Sequence, residues 1–392
     1  MLNKINTFRI VFSLLLTCLF LSGASTAIAN DSTATHATAE HEHSTLSTES
    51  HEAAHAAGAE HGEEKFNAGK MILEHVGDAH DWHIAGHLSI PLPVIIYSEA
   101  GLDVFSSARF EHGHATYHSE KTNINYKLEE NKVVAVNEDG SVNEERTANF
   151  FDLSITKNVA TLLFSVILLC WLFISVAKSY LRNPGKAPKG IQSFVEPIII
   201  FIRDDVAKAS IGEKKYKKFM PYLLTVFFFI WINNLLGLIP IFPGGANLTG
   251  NVAVTLTLAS LTFIITVISA NKHYWHHIFA MPGVPAWVLI ILTPIEILGL
   301  FLRPFVLMVR LFANITAGHI IALSFFSLIF IFGEMNTGAG LGFSLFSTAF
   351  TVFMMVMELL VAFLQAYVFT LLSAVYFGTA VEEGHHEEAH AH

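Results

Sequence analysis

The chain is short of charge and almost without cysteine. Charged residues make up 14% of its 392 residues, against 52% hydrophobic, and the mean hydropathy is +0.49. Its two cysteines, Cys18 and Cys170, both lie in apolar stretches, which excludes a disulfide framework. There is no G-x-x-x-x-G-K-[ST] loop, no H-E-x-x-H and no G-x-S-x-G. Those absences remove the phosphate-loop NTPases, the zinc proteases and the serine hydrolases, and with them any expectation of a cofactor or resident metal. The basic residues form no broad surface, so a nucleic-acid partner is excluded too. What remains is the composition of a membrane protein. The formal net charge of −10 is segregated: acid and histidine crowd the two ends, and lysine crowds one internal loop.

The N-terminal part is built for export. Residues 1–29 read as a signal peptide: Lys4 and Arg9 precede the apolar run Ile10 to Leu21, and Ala27-Ile28-Ala29 supplies a small-x-small cleavage site. An uncleaved first helix is the rival reading, and either one carries the next segment across the membrane. Residues 30–65 hold His36, His41, His43, His51, His55 and His61 among Ala, Ser, Thr and Glu. With so little apolar surface to offset the ordering entropy, they should be disordered. Residues 66–150 form a small exported domain with β content. Leu92 to Tyr97 and Lys132 to Val136 read as short strands, and Asp139-Gly140 reads as the turn after the second. His80-Asp81-Trp82-His83 and His112-Gly113-His114 could hold a metal, but turn and surface histidines are the more ordinary reading.

Residues 151–383 are the membrane domain, an all-α polytopic arrangement with five transmembrane helices and one interfacial amphipathic helix. The first span covers Lys157 to Ala177. Lys178, Arg182, Lys186, Lys189, Lys214, Lys215, Lys217 and Lys218 then mark the following loop as cytoplasmic by the positive-inside rule. Inside that loop, Ile191 to Val206 is too polar to span, with Glu196, Arg203, Asp204 and Asp205, and suits an interfacial helix. Pro221 to Ile241 crosses outward and Val252 to Ala270 returns. The last two apolar blocks, Ala286 to Phe332 and Gly340 to Ala380, would measure roughly 70 and 60 Å as continuous helices, against a hydrocarbon core of about 30 Å. Each block either breaks into two spans or forms one long helix inclined well beyond the usual tilt. Residues 384–392 are a His/Glu-rich tail without Lys or Arg.

Polar residues inside these blocks carry the functional reading. Arg310 is a permanent cation at membrane depth, where it costs from roughly 3 to over 10 kcal/mol. Glu296, Arg303 and Arg310 recur every seven residues, which aligns them as a stripe on one helix face, and Asn314 extends it by a turn. His319 follows in the same block. In the last block Glu358 and Gln365 share the seven-residue spacing. A Glu, a His and an Arg in two neighbouring apolar helices point to a proton or ion path. A secondary transporter is the competing class, but the internal repeats that would favour it are absent.

These residues also carry a resemblance. Val309-Arg310-Leu311-Phe312-Ala313-Asn314-Ile315-Thr316-Ala317-Gly318-His319 is similar to the arginine segment of subunit a of bacterial F-type ATP synthases. Pro294-Ile295-Glu296, Arg303-Pro304, Phe201-Ile202-Arg203-Asp204, Asn234 to Pro240, Leu248 to Leu256 and Gln365-Ala366-Tyr367 agree with it in order. The resemblance implies two long tilted helices lying against a ring of c subunits, with b subunits and the other F1Fo subunits as partners. It also implies a multi-pass protein of the bacterial inner membrane, with a periplasmic N-terminal region and a cytoplasmic C-terminus. By the same resemblance, Arg310 is the essential arginine between two proton half-channels, and Glu358, His319, Asn314 and Gln365 line the proton path. Many bacterial members carry a carboxylate after the motif's glycine and a histidine seven residues before the glutamine. Here the pair is exchanged, as in mitochondrial members. At Asn251 the family often has aspartate, so a carboxylate role does not carry over to that position.

Overall fold

The computed structural model describes residues 77–382, apart from 86–87, 130, 183, 240–243, 280, 282–283 and 336. The expected signal peptide (1–29), the His-rich segment (30–65) and the tail (384–392) lie outside the described residues.

Short strands open the described chain. β1 (Asp81–Ala85) and β2 (Leu88–Pro91) form a hairpin; β3 (Pro93–Ser98) pairs with β4 (Gly101–Ser106). β5 (Tyr117–Ser119), β6 (Ile124–Glu129) and β7 (Lys132–Val136) form a meander. The run read from Leu92 to Tyr97 is β3, and its alternation sends Val94, Ile96 and Ser98 inward. These side chains meet Phe105, Phe110, Tyr126 and Val133 in a small separate core. After β7 the chain turns at Asp139-Gly140, where Gly140 takes φ 84° and Asp139 Oδ1 accepts from Ser141 N at 2.9 Å. A short helix, α1 (Glu144–Ala148), is capped by Asn143, and β8 (Phe151–Asp152) then adds to β3 on the edge away from β4. Backbone bonds from Leu153 to Ile95 and from Ile155 to Pro93 continue that edge to the threshold of the first long helix.

Among the described residues five helices are long and apolar enough to cross a membrane. α2 (Lys157–Arg182) leads to the basic loop. α3 (Ile191–Phe201) runs through a π-helical stretch (Ile202–Lys208) into α4 (Ala209–Ile211), and none of these is among the five. This is the segment expected at the interface. Arg203 and Lys208 both reach Asp204, at 2.7 Å each, and hold its carboxyl well below the usual range. α5 (Tyr216–Leu238) and α6 (Val252–Ser269) follow, then the short α7 (Lys272–Phe279), α8 (Ala286–Met335) and α9 (Thr337–Val381).

The open alternative for the last two blocks is decided here. α8 is one helix of 50 residues and α9 one of 45, even though Pro294 and Pro304 lie within α8. At 1.5 Å per residue both are more than twice as long as a hydrocarbon core of about 30 Å, so they can lie within it only if strongly inclined. They run antiparallel, joined by close ring pairs: Phe325–Phe350 at 3.9 Å and Phe332–Phe343 at 4.0 Å between centroids.

α5 is the hub of the membrane core. Of its most apolar window 67% is buried, against 6% for α8 and 22% for α9. Leu223, Val226, Phe227, Phe228, Phe229 and Ile230 are enclosed, mainly by α9, with α2 and the π-helical stretch. Most of its polar groups find partners, as polar groups away from water must, although Asn233 Oδ1 has none among the described residues. The Tyr222 hydroxyl lies 2.8 Å from Thr262 Oγ1 of α6, and Asn233 Nδ2 donates back to Phe229 O at 2.8 Å. The far end of α9 is closed by other elements: Lys215 Nζ and Asn271 Nδ2 both donate to Val381 O, at 2.7 and 2.9 Å. α9 therefore ends on the lysine-rich side. Beside that closure α9 passes α4 backbone to backbone at Gly378, where an added Cβ would strike the Ser210 carbonyl.

Gly378→Val should consequently push α9 off α4 and lower the amount of folded subunit in the membrane by severalfold. Immunoblots of washed membranes give the measurement; wild-type levels would mean the crossing tolerates a side chain.

Candidate proton-translocation site

The polar stripe of α8 passes through two environments. Arg303 is half-buried: its Nη1 donates to Tyr274 OH of α7 at 3.3 Å, and its guanidinium lies 5.9 Å from the Tyr376 ring centroid of α9. Thr262, Thr266, Pro304 and Leu307 share its small cavity. Glu296, one stripe position earlier, is half-buried and close enough for its charge to act on Tyr274. The Tyr274 hydroxyl is raised by burial, and Arg303 opposes that rise. Arg310 differs. It is exposed on the surface of the chain, and no ion pair reaches it among the described residues.

Beyond Arg310 the α8–α9 pair opens into a cavity of about 250 Å³. Asn314, Gly318 and His319 of α8 line it on one side, Met357, Glu358 and Ala362 of α9 on the other, and Asn234 of α5 reaches in. Glycine makes the approach possible: a Cβ on Gly318 would stand 2.9 Å from Glu358 Oε1 and 3.4 Å from its Cγ. On the α5 side, a Cβ on Gly237 would stand 3.8 Å from His319 Nε2. Glu358 Oε1 is buried and has no hydrogen-bond partner among the described residues. A buried acceptor left unpaired is costly, and a proton or a water in this polar cavity would relieve it.

Of the residues singled out from the sequence, His319, Glu358 and Asn314 share this one cavity. Arg310 and Gln365 do not line it. The antiparallel register set by the Phe pairs puts these two level with one another, about 10 Å along the helices from Glu358 on the lysine-rich side. Gln365 is buried there. Glu296 and Arg303 lie further along in the same direction. The structure adds Asn234, whose Nδ2 donates to Ala362 O at 3.2 Å and whose Oδ1 accepts from Thr249 Oγ1 at 2.6 Å. An asparagine pair, Asn233-Asn234, inside an otherwise apolar helix was the available signal. Gly318, Tyr274 and Tyr376 act through contacts between elements that no local pattern announces. Asn251 caps α6, its Oδ1 accepting from Ala253 N at 2.9 Å. Of the two histidine motifs of the β unit, the side chains of His83 and His112 lie outside the described ones. His80 faces Asp152, Asp81 Oδ1 accepts from Ser107 Oγ at 2.7 Å, and the Trp82 indole bonds a loop of the membrane domain.

Residues 159–378 match the family described as ATP synthase A chain. The chain belongs to that family. It is a membrane subunit of the proton-translocating Fo sector, without catalytic chemistry of its own. It is 47% identical over 252 residues to ATP synthase subunit a 2 of Chlorobaculum tepidum, spanning 62% of this chain and 68% of that one. To ATP synthase subunit a of Chloroherpeton thalassium it is 44% identical over 247 residues, 62% and 71% of the two chains. To that of Myxococcus xanthus it is 39% identical over 248 residues, 62% and 77%. Residues 71–153, the β unit, match a second family, described as a domain of unknown function.

Gly318→Ala should displace the Glu358 carboxylate. Forcing a tightly placed side chain aside costs about 1–3 kcal/mol, so proton pumping should fall about tenfold or more. ATP-driven acidification of inverted vesicles, normalised to the amount of complex, checks it; unchanged pumping would show that the close approach is incidental.

Proposed function

We propose that this subunit couples proton flow to rotation of a ring of c subunits by means of two half-channels and one arginine. The observation that carries the reading is the cavity that His319 of α8 and Glu358 of α9 line together, with Arg310 beyond it on an uncovered helix face.

A permanent charge at membrane depth needs a compensating partner. Arg310 has no ion pair among the described residues of its own chain, so the partner comes from outside: a carboxylate at mid-membrane on each ring subunit. The long uncovered faces of α8 and α9 give that ring its bearing surface. Protons reach the ring carboxylates from the periplasm through the cavity, handed on by His319 and Glu358 with Asn314 beside them. Gln365 lies level with Arg310, where the carboxylate is relayed. A neutralised carboxylate can enter lipid; after nearly a full turn it releases its proton toward the cytoplasm, on the side of Arg303 and Glu296. Arg310 attracts the emptied carboxylate and bars direct passage between the two channels. A lysine would do this less securely, because it can lose its proton in a low-dielectric site.

The orientation follows from charge. The lysine-rich loops, and with them the end of α9, face the cytoplasm. The β unit faces the periplasm of a bacterial inner membrane, and residues 1–29 act as its signal. The b subunits complete the stationary partner set.

Four variants test this reading. Arg310→Ala should abolish coupled proton transport while the complex still assembles, and Arg303→Ala should be milder because its charge has Tyr274 and Tyr376 to lean on. Near wild-type pumping by Arg310→Ala vesicles would sink the assignment. Glu358→Gln should slow proton uptake without opening a leak, since Arg310 still guards the barrier. The double change His319→Glu with Glu358→His should recover part of what either single change loses, because a coupled pair acts as a unit. Pumping measured over a pH series decides it: normal rates for Glu358→Gln at every pH would leave Glu358 a structural residue only.

A further inference from the structure

The β unit is fastened to the membrane domain at two points. Asp78 Oδ1 accepts from Asn158 N at 3.0 Å, and Lys157 N donates to Ala79 O at 2.8 Å, so the segment before β1 closes the start of α2. Two residues into the hairpin region, Trp82 is 3% exposed and its Nε1 donates to Gly244 O at 2.9 Å. Gly244 belongs to the loop joining α5 to α6, far away in sequence. Such a buried bond, made by a large ring to a distant loop, fixes the position of Gly244.

That loop follows directly on Leu238, which lines the His319–Glu358 cavity, and forms a lip beside it rather than part of its wall. Its Gly245 N donates back to Leu236 O at 3.1 Å, and Ala246 is fully buried. A Cβ on Gly237 would stand 3.3 Å from Ala246 O and 3.8 Å from His319 Nε2, so loop, helix and histidine converge on one point. Further along the loop, Thr249 Oγ1 donates to Asn234, which lines the cavity and in turn bonds Ala362, another lining residue. An unbroken series of contacts therefore runs from the Trp82 indole to both walls of the cavity.

We propose that the β unit braces the proton inlet: Trp82 is a positioning residue that, through Gly244, holds the α5–α6 loop against Gly237, His319 and Asn234 and so sets the cavity through which protons reach Glu358. This rests on the reading of the cavity as the inlet. It gives the β unit, matched so far only to a family without a function, a part in proton transfer.

Trp82→Phe keeps the buried ring and removes only the N–H donor. In assembled complexes stripped of F1, passive proton conduction per complex should fall severalfold, with the amount of complex unchanged. A cysteine at Ala246 reports on the lip directly. With Trp82 in place it should resist a water-soluble thiol reagent added from the periplasmic side; with Trp82→Phe it should react severalfold faster, each measured against the same chain without that cysteine. Wild-type conduction together with an unreactive cysteine overturns the proposal. So does a loss confined to the amount of complex, which would make Trp82 a stabilising residue alone. Glu358→Gln, measured alongside, separates the two layers. Normal conduction in Trp82→Phe with impaired conduction in Glu358→Gln removes the brace and leaves the inlet; normal conduction in both removes the inlet as well.

Discussion

Everything in the membrane part is arranged around the cost of polar groups in hydrocarbon. Most are settled locally. Threonines such as Thr225, Thr262 and Thr266 donate to the carbonyl one turn back, Tyr222 pairs with Thr262, and Asn233 folds onto its own helix. Arg303 is settled between two tyrosines. Among the described residues two ionisable groups stand out: the Arg310 guanidinium makes no ion pair and Glu358 Oε1 no hydrogen bond, and they occupy the same pair of helices. One cannot shed its charge and the other can. The proposed division between a barrier and a relay rests on that asymmetry, with the two held at a fixed distance along α8 and α9.

Much of this was legible in the sequence. Spans show in apolar runs because a lipid core demands them, and the lysine-rich loop gives orientation because lysines resist export. The Glu296–Arg303–Arg310 stripe followed from helical geometry alone. On the residues alone the last two blocks stayed open between one helix and two, since length counts residues and not tilt, and it was the resemblance that implied one long helix each; the packing of α9 on α5, of α8 on α6, and of Phe325 on Phe350 and Phe332 on Phe343 accompanies that outcome. The β unit was read least well. Its strands run from two to six residues, and only β3 and β7 carry a run that stands out. His80-Asp81-Trp82-His83 looked like one motif, yet His80, Asp81 and Trp82 each face a different partner. Local spacing does not encode a bond from Trp82 to Gly244.

Glycine shows the same limit from the other side. Gly318, Gly237 and Gly378 read as ordinary residues of apolar helices, where glycine lowers helical preference. Their value lies in what the missing Cβ lets in: the Glu358 carboxylate, the Ala246 carbonyl with His319, and the backbone of α4. Close helix contacts in membranes depend on such small residues. In this chain one of them, Gly318, lets in a carboxylate where a packing contact would be usual.

The closure of α9 has a mechanical meaning. Its last carbonyls are pinned by Lys215 and Asn271, which come from two different connections, and Gly378 is pressed against α4. Toward the α8–α9 turn, by contrast, residues such as Leu345, Val352 and Phe353 stand uncovered. A rod fixed at one end and free along its flank is a cantilever. A load sliding across that flank deflects the free tip most and the root hardly at all. Arg310 and Gln365 lie nearer the root than Glu358 does, so in the proposed mechanism the arginine sits toward the stiff end of the lever and the carboxylate further along it.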